Sequence, residues 1–297
     1  MIYLILSIFL SVLLLINFRI FPRFEINTAQ AIGLNYIVCF ALGFSLIPAD
    51  QHFTFDLKAD WTWYCLALGV GFIITFILSG LSTQKAGMTA TSLANNLSLV
   101  IPVLASLILY NTHAKDFELL NYVGLVLAFI AVGLATFKGK GQDLKKGSLW
   151  LPFAVFAMYG ITNSAINYIN LRFIPDPSLV IPVTLVMVLG AMVSGVLLVL
   201  YRYFKHQEKF KLKNGIAAIS LGIPNFLSFY FLILTLTYYG NSGAFVYPIY
   251  NMGVILVSAL VGIFFFKESL SKLNIVGLLL GLLAILLISY QELGLSM

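Results

Sequence analysis

Apolar residues run along this chain in blocks of about twenty, and polar residues gather in the short stretches between them. Wound as a helix, a block of that length spans the ~30 Å hydrocarbon core of a bilayer. Ten blocks are predicted as transmembrane helices, at about 2–18, 29–48, 63–83, 90–110, 117–137, 149–170, 178–201, 215–237, 243–266 and 272–290. The breaks carry loop chemistry, as at Phe21-Pro22-Arg23, Pro48-Ala49-Asp50-Gln51 and Pro175-Asp176-Pro177. A β-barrel would instead alternate polar and apolar residues over ten-residue segments. The first block has no basic stretch ahead of it and no small-residue cleavage site behind it, so a retained span is expected rather than a signal peptide. No long polar domain interrupts the series.

The pattern is written twice. Asn121-Tyr122-Val123-Gly124-Leu125-Val126-Leu127 lies over Asn274-Ile275-Val276-Gly277-Leu278-Leu279-Leu280 at an offset of 153 residues, with five of seven positions identical. At the same offset Ile16–Pro22 falls on Ile169–Pro175, Gly87 on Gly240 and Lys58 on Lys211, with no gap. Matches in Asn, Arg, Gly and Pro at one spacing do not come from leucine-rich composition, so the chain reads as a duplicated unit. Residues 1–138 and 148–297 form the two five-helix repeats, and 139–147 a basic linker. Five is odd, so the second copy enters the membrane upside down. The expected architecture is all-α and integral to the membrane, ten transmembrane helices as two inverted five-helix repeats.

Composition agrees. The mean hydropathy is +1.00, 61% of residues are hydrophobic and 9% charged, whereas soluble domains carry about 25% charged residues. The net charge of +6 sits between the spans, which points to topology and anionic headgroups rather than nucleic acid. Fourteen of the 17 lysines and arginines fall on one set of loops, including Arg19, Lys85, Lys138, the three linker lysines and Lys267. That set is expected to be cytoplasmic, which puts both termini outside a plasma (inner) membrane. Cys39 and Cys65 have no metal or redox spacing and read as small apolar core residues. No motif for catalysis, phosphate binding or metal binding is present, so neither an enzyme nor a cofactor is expected.

Polar residues inside hydrocarbon need a partner or line water. The sixth block carries Tyr159, Asn163, Asn167 and Asn170 at spacings of four, four and three, one stripe along a helix. At the corresponding positions of the first block Asn163 becomes Leu10 and Asn167 becomes Leu14. The asymmetry points to substrate recognition on one wall; interhelical hydrogen bonding is the plainer alternative. The fourth block offers Ser92, Asn95 and Asn96 below Pro102, which frees the carbonyl of Ser98. The eighth offers Asn225 after Pro224, and Tyr230; the ninth offers Tyr247, Tyr250 and Asn251 beside Pro248. These are the candidate substrate-binding residues, the tyrosines reading equally as interface anchors. Arg19 and Arg172, related by the repeat, are candidate gating residues, with snorkelling to headgroups as the alternative. No Asp or Glu falls inside a predicted block except Glu118, the second residue of the block at 117–137, and Glu25 and Glu268 stand at ends, so no carboxylate for proton coupling is expected.

Glu268-Ser269-Leu270, followed by Gly277 near the start of the next helix, resembles the signature of the drug/metabolite transporter superfamily, in its ten-span EamA-type branch. Pro102 in the first half matches the proline that precedes the family's glutamate, where the second half has Ile255. Lys115 stands where the first half would carry the glutamate. The resemblance implies an exporter or exchanger of small polar or amphipathic metabolites working by alternating access, with both termini cytoplasmic, the reverse of the charge count. A lipid-linked sugar flippase and a non-transporting accessory subunit are the alternatives. The expected partners are a small-molecule solute and the bilayer. The sequence sets no oligomeric state, a monomer included among the options.

Overall fold

The computed structural model describes residues 1–47, 53, 55–105, 118–136, 149–173, 180–240, 242–291 and 293–294, with backbone alone at 170–171, 180–182 and 244. The described regular structure is helical: α1 (Ile2–Ile20), a 3-10 turn at Phe21–Phe24, α2 (Thr28–Ser45), α3 (Asp60–Lys85), α4 (Met88–Leu97), α5 (Val100–Ala105), α6 (Leu119–Thr136), α7 (Trp150–Phe173), α8 (Val180–His206), α9 (Leu212–Tyr238), α10 (Gly243–Phe264) and α11 (Lys272–Ile288). Among the described residues eight segments are long and apolar enough to cross a membrane, which makes this an all-α, multi-pass membrane protein. Trp150–Phe173 is not among them because Tyr159, Asn163 and Asn167 dilute its apolar run, and Lys272–Ile288 is shorter, at 17 residues. The linker, Lys115, Pro175 and Pro177 lie outside the described residues.

The fourth block departs from expectation. The sequence predicts one helix over 90–110, kinked by Pro102. The structure has two, α4 and α5, parted at Ser98–Leu99. Pro102 has no N–H to give the Ser98 carbonyl, which accepts instead from the Ile101 amide at 3.0 Å, a tighter closure than an α-turn. The Ser98 hydroxyl turns back onto the Asn95 carbonyl at 2.5 Å.

The chain forms two compact units, one of residues 1–19, 78–160 and 227–297, the other of 20–77 and 161–226. Both draw on both halves of the sequence, so neither coincides with a repeat.

In the first unit α4 packs on α6, α10 and α11, around a core that includes Leu93, Leu97, Leu125, Phe156, Ile255 and Ile285. The contact between α6 and α11 is reciprocal at the 153-residue offset. Asn121 Nδ2 donates to the carbonyls of Leu287 (3.2 Å) and Ile288 (2.9 Å), and Asn274 Nδ2 to those of Leu134 (3.2 Å) and Ala135 (2.8 Å). Each asparagine also caps its own helix, Asn121 Oδ1 accepting from the Glu118 amide at 2.8 Å and Asn274 Oδ1 from the Ser271 amide at 2.9 Å. A Cβ on Gly124 would lie 2.9 Å from the Ile288 nitrogen, and one on Gly277 2.7 Å from the Ala135 nitrogen. The motif read as the repeat's clearest trace is therefore the seam at which two equivalent helices meet. Outward, Val126, Phe129, Ile275 and Leu279 are exposed, as suits lipid rather than water.

In the second unit α2 packs along α8 at the crossing of Gly33 and Gly195, where a Cβ on either glycine would fall within 2.6 Å of the other's carbonyl oxygen. Asn27 caps α2, its Oδ1 accepting from the amides of Ala29 (3.1 Å) and Gln30 (3.2 Å), while its Nδ2 donates to Glu208 at 2.7 Å. Hydrogen bonds from Arg202 hold the Glu208 carboxyl below the usual carboxylate range. A depressed folded-state pKa stabilises the fold above the unfolded value, ~4.3, and that stabilisation is lost as pH falls through the folded value. Glu208→Gln is therefore expected to lower the melting temperature in detergent at pH 7, by less than about 1 kcal/mol for so exposed a pair. The gap between variant and parent should close as the pH is taken below about 4; a gap that persists there would assign the loss to packing instead.

Candidate functional site

In the first unit, α1, α3, α4, α7 and α10 turn hydroxyl and amide groups toward one another. Ser7 and Ser11, one turn apart on α1, share a face. The Ser7 hydroxyl donates to the Ser228 carbonyl at 2.7 Å, and Ser11 Oγ and the Tyr250 hydroxyl share a hydrogen bond of 2.6 Å. Tyr159 of α7 faces Ser79 and Tyr250. On α4 the same four-residue spacing pairs Ser92 with Asn96, whose Nδ2 donates to the Ser92 carbonyl at 2.8 Å, while Ser92 Oγ donates to the Val254 carbonyl of α10 at 3.4 Å. Ser7, Ser79, Ser92 and Asn96 are buried. None of these groups is charged. The cluster can donate and accept hydrogen bonds in apolar surroundings, and it offers no buried charge to a multiply charged ligand.

The sequence-predicted residues divide between the units. Tyr159 and Tyr250 face one another, and Ser92 and Asn96 lie on α4, where Ser92 reaches α10 one turn beyond Tyr250. Asn95 and Asn251 are half-buried on α4 and α10, Tyr247 is exposed, and half-buried Tyr230 packs its ring on Phe231. Asn163, Asn167 and Asn225 belong to the second unit, so the stripe along α7 changes unit after Gly160. Asn225 Nδ2 there donates at 2.9 Å to Oδ1 of Asn35, a fully buried residue that Cys39 Sγ also contacts, at 3.5 Å. That is the interhelical hydrogen bonding weighed against substrate recognition. Arg172 is exposed.

Arg19 has a different environment from its mate. Its Nη1 donates to the carbonyls of Thr83 (3.2 Å) and Gln84 (3.3 Å) at the end of α3, its Nη2 lies 4.0 Å from Glu268 Oε1, and its guanidinium stands 6.0 Å from the Phe266 ring centroid. The Glu268 side chain is 8% exposed. Its Oε1 accepts from the Met88 amide (2.6 Å), and its Oε2 from the amide (3.1 Å) and hydroxyl (2.8 Å) of Thr89. Beside them opens a cavity of about 290 Å³ lined by Arg19, Gln84, Ala90, Lys267, Glu268 and Asn274 among others.

Sequence reasoning missed Ser7, Ser11, Ser79 and Asn35. The four-residue spacing of Ser7 and Ser11 was the only signal, and serine is an ordinary packing residue in a transmembrane helix. It also left Glu268 at a helix end. Among the described residues no group of three or more His, Cys, Asp or Glu is placed to hold a metal.

No family model matches the chain. A protein of Haemophilus influenzae described as uncharacterized is 28% identical over 296 residues, 97% of this chain and 98% of its own. A solved crystal structure, described only as that of a protein, superposes with a TM-score of 0.58 at 13% identity, over 98% of this chain and 99% of the other. That likeness is one of fold.

Proposed function

We propose that the chain is a ten-span carrier of the EamA type, built as two inverted repeats, that moves a small polar or amphipathic metabolite across the membrane by alternating access, as an exporter or exchanger. The observation that carries the reading is the uncharged set of half-buried Ser11, Tyr250 and Tyr159 with buried Ser92 and Asn96, held among apolar helices from both halves of the sequence. Polar groups inside a span are retained where they serve a pathway, and inverted-repeat carriers bind near the midplane at the meeting of their halves. The reciprocal Asn121 and Asn274 bonds support the repeat. Tyr159, Ser92, Asn96 and Tyr250 bind the solute, with Asn95, Asn251 and Tyr247 on the same helices and Tyr230 on α9. A neutral, zwitterionic or aromatic solute suits this lining.

The test is a thermal-shift screen of purified protein against amino acids, nucleosides, sugars and aromatic amines, followed by counterflow in liposomes. At least one class is expected to raise the melting temperature and to exchange across the bilayer. No melting-temperature rise with any of these classes, or no exchange by any hit, would overturn the reading.

A further inference from the structure

We infer that Glu268 is a positioning residue for the proposed transport site, holding α4 against α10 from outside either helix; the inference rests on the carrier reading above.

The first turn of a helix leaves amide groups without partners and carries the positive end of its dipole. For α4 the N-cap is Gly87, which has no side chain to supply an acceptor. The acceptor comes from 180 residues away, in the connection that follows α10. Three features aim it. Lys267 adopts a left-handed backbone, φ 52°, unusual for a side-chain-bearing residue. It reverses the chain so that the Glu268 amide closes on the Gly262 carbonyl at 2.9 Å and the carboxylate turns inward. Gly262 leaves the carboxylate its room, since a Cβ there would lie 2.7 Å from Glu268 Oε2 and 2.9 Å from Thr89 Oγ1. Gly87, at φ 107°, adopts a conformation open to glycine alone and would bring a Cβ within 3.0 Å of Oε1. Arg19, itself anchored on α3, brings its guanidinium to 4.0 Å from the carboxylate.

Both helices tied by this carboxylate carry the cluster. Met88 is one turn before Ser92 and two before Asn96, and Gly262 lies two turns beyond Val254, whose carbonyl Ser92 contacts. Loosening the start of α4 therefore displaces Ser92 and Asn96 relative to Tyr250 and opens the cavity beside Ala90. At the equivalent position in the other half Gly240 also has positive φ, 65°, and a Cβ there would meet nothing within 4 Å among the described residues; Lys115, the counterpart of Glu268, lies outside them.

Ala90 is 7% exposed and lines the cavity, which makes it a reporter. Ala90→Cys, with the buried Cys39 and Cys65 replaced by Ala, would be labelled with a membrane-impermeant maleimide with and without Glu268→Gln. The amide keeps the shape but presents a donor where a carboxylate oxygen accepted. Labelling is expected to rise at least ten-fold with a melting temperature within a few degrees of the parent, and KM for the transported solute to rise at least three-fold with a smaller change in maximal rate. Thr89→Val, which removes one of the three bonds, should give an intermediate rise of about three-fold and decides the matter if Glu268→Gln does not fold. Labelling within two-fold of the parent in a folded variant would overturn the inference. Faster labelling in a protein that moves no solute would instead strike the carrier reading and leave Glu268 as the residue that sets α4.

Discussion

Gly277→Leu, and equally Gly124→Leu, is expected to leave little or no monodisperse protein. Overpacking a core costs about 1–3 kcal/mol when flexible side chains can yield. Here the obstacle is backbone, with the first added carbon already 2.7–2.9 Å from a main-chain nitrogen of the partner helix. Relief requires α6 and α11 to separate, and separation breaks the four asparagine-to-carbonyl bonds that flank the glycines. Leucine rather than alanine makes the result unambiguous, and the same helix supplies the control. Among the described residues nothing lies within 4 Å of a Cβ on Gly133 of α6, so Gly133→Ala should be tolerated, or gain about 0.5–1 kcal/mol from the better helix former. Fluorescence-detected size-exclusion chromatography and a melting curve read both. A sharp peak and a parental melting temperature for Gly277→Leu would mean that the two helices do not meet here.

The second large effect is on transport. Tyr250→Phe combined with Ser11→Ala removes a 2.6 Å hydrogen-bonded pair without emptying the site, because both hydroxyls go together and neither is left buried alone. The expected stability change is about 1 kcal/mol or less, whereas counterflow of the identified solute should fall at least ten-fold, equivalent to about 1.4 kcal/mol of lost interaction. Asn96→Leu should do the same through the other wall, since it replaces a side-chain amide held 2.8 Å from the Ser92 carbonyl by an apolar group of similar size. Tyr201→Phe, an exposed tyrosine near the end of α8, should change nothing. Full transport by the Tyr250 and Ser11 double variant, correctly folded, would remove the cluster from the solute's path.

Much of the fold is legible in the residues. Helix covers part of every predicted block, and the Asn121 and Asn274 motifs, chosen as the duplication's best match, lie at a contact made twice at the same offset. The break in α4–α5 was half legible. Pro102 names the carbonyl that loses its donor, but only the folded chain decides whether the helix bends or divides there. The candidate site was less legible. The stripe Tyr159, Asn163, Asn167 is continuous along α7, yet Tyr159 belongs to one compact unit and the asparagines to the other.

What the residues by themselves determined is where the chain is helical, that it belongs in a membrane, and that one asparagine and glycine motif recurs at a spacing of 153 residues. Hydrophobic run length and identity at a constant offset are properties of neighbouring or regularly spaced positions, and the chain carries them before it folds. What the tertiary structure alone decided is which polar groups meet. Ser7 finds Ser228, Ser11 finds Tyr250, and Glu268 finds the start of α4, across 221, 239 and 180 residues of sequence. A hydrogen bond is satisfied within about 3 Å, and which side chains come that close depends on how each helix is rotated and crossed against its neighbours, information that no single stretch contains.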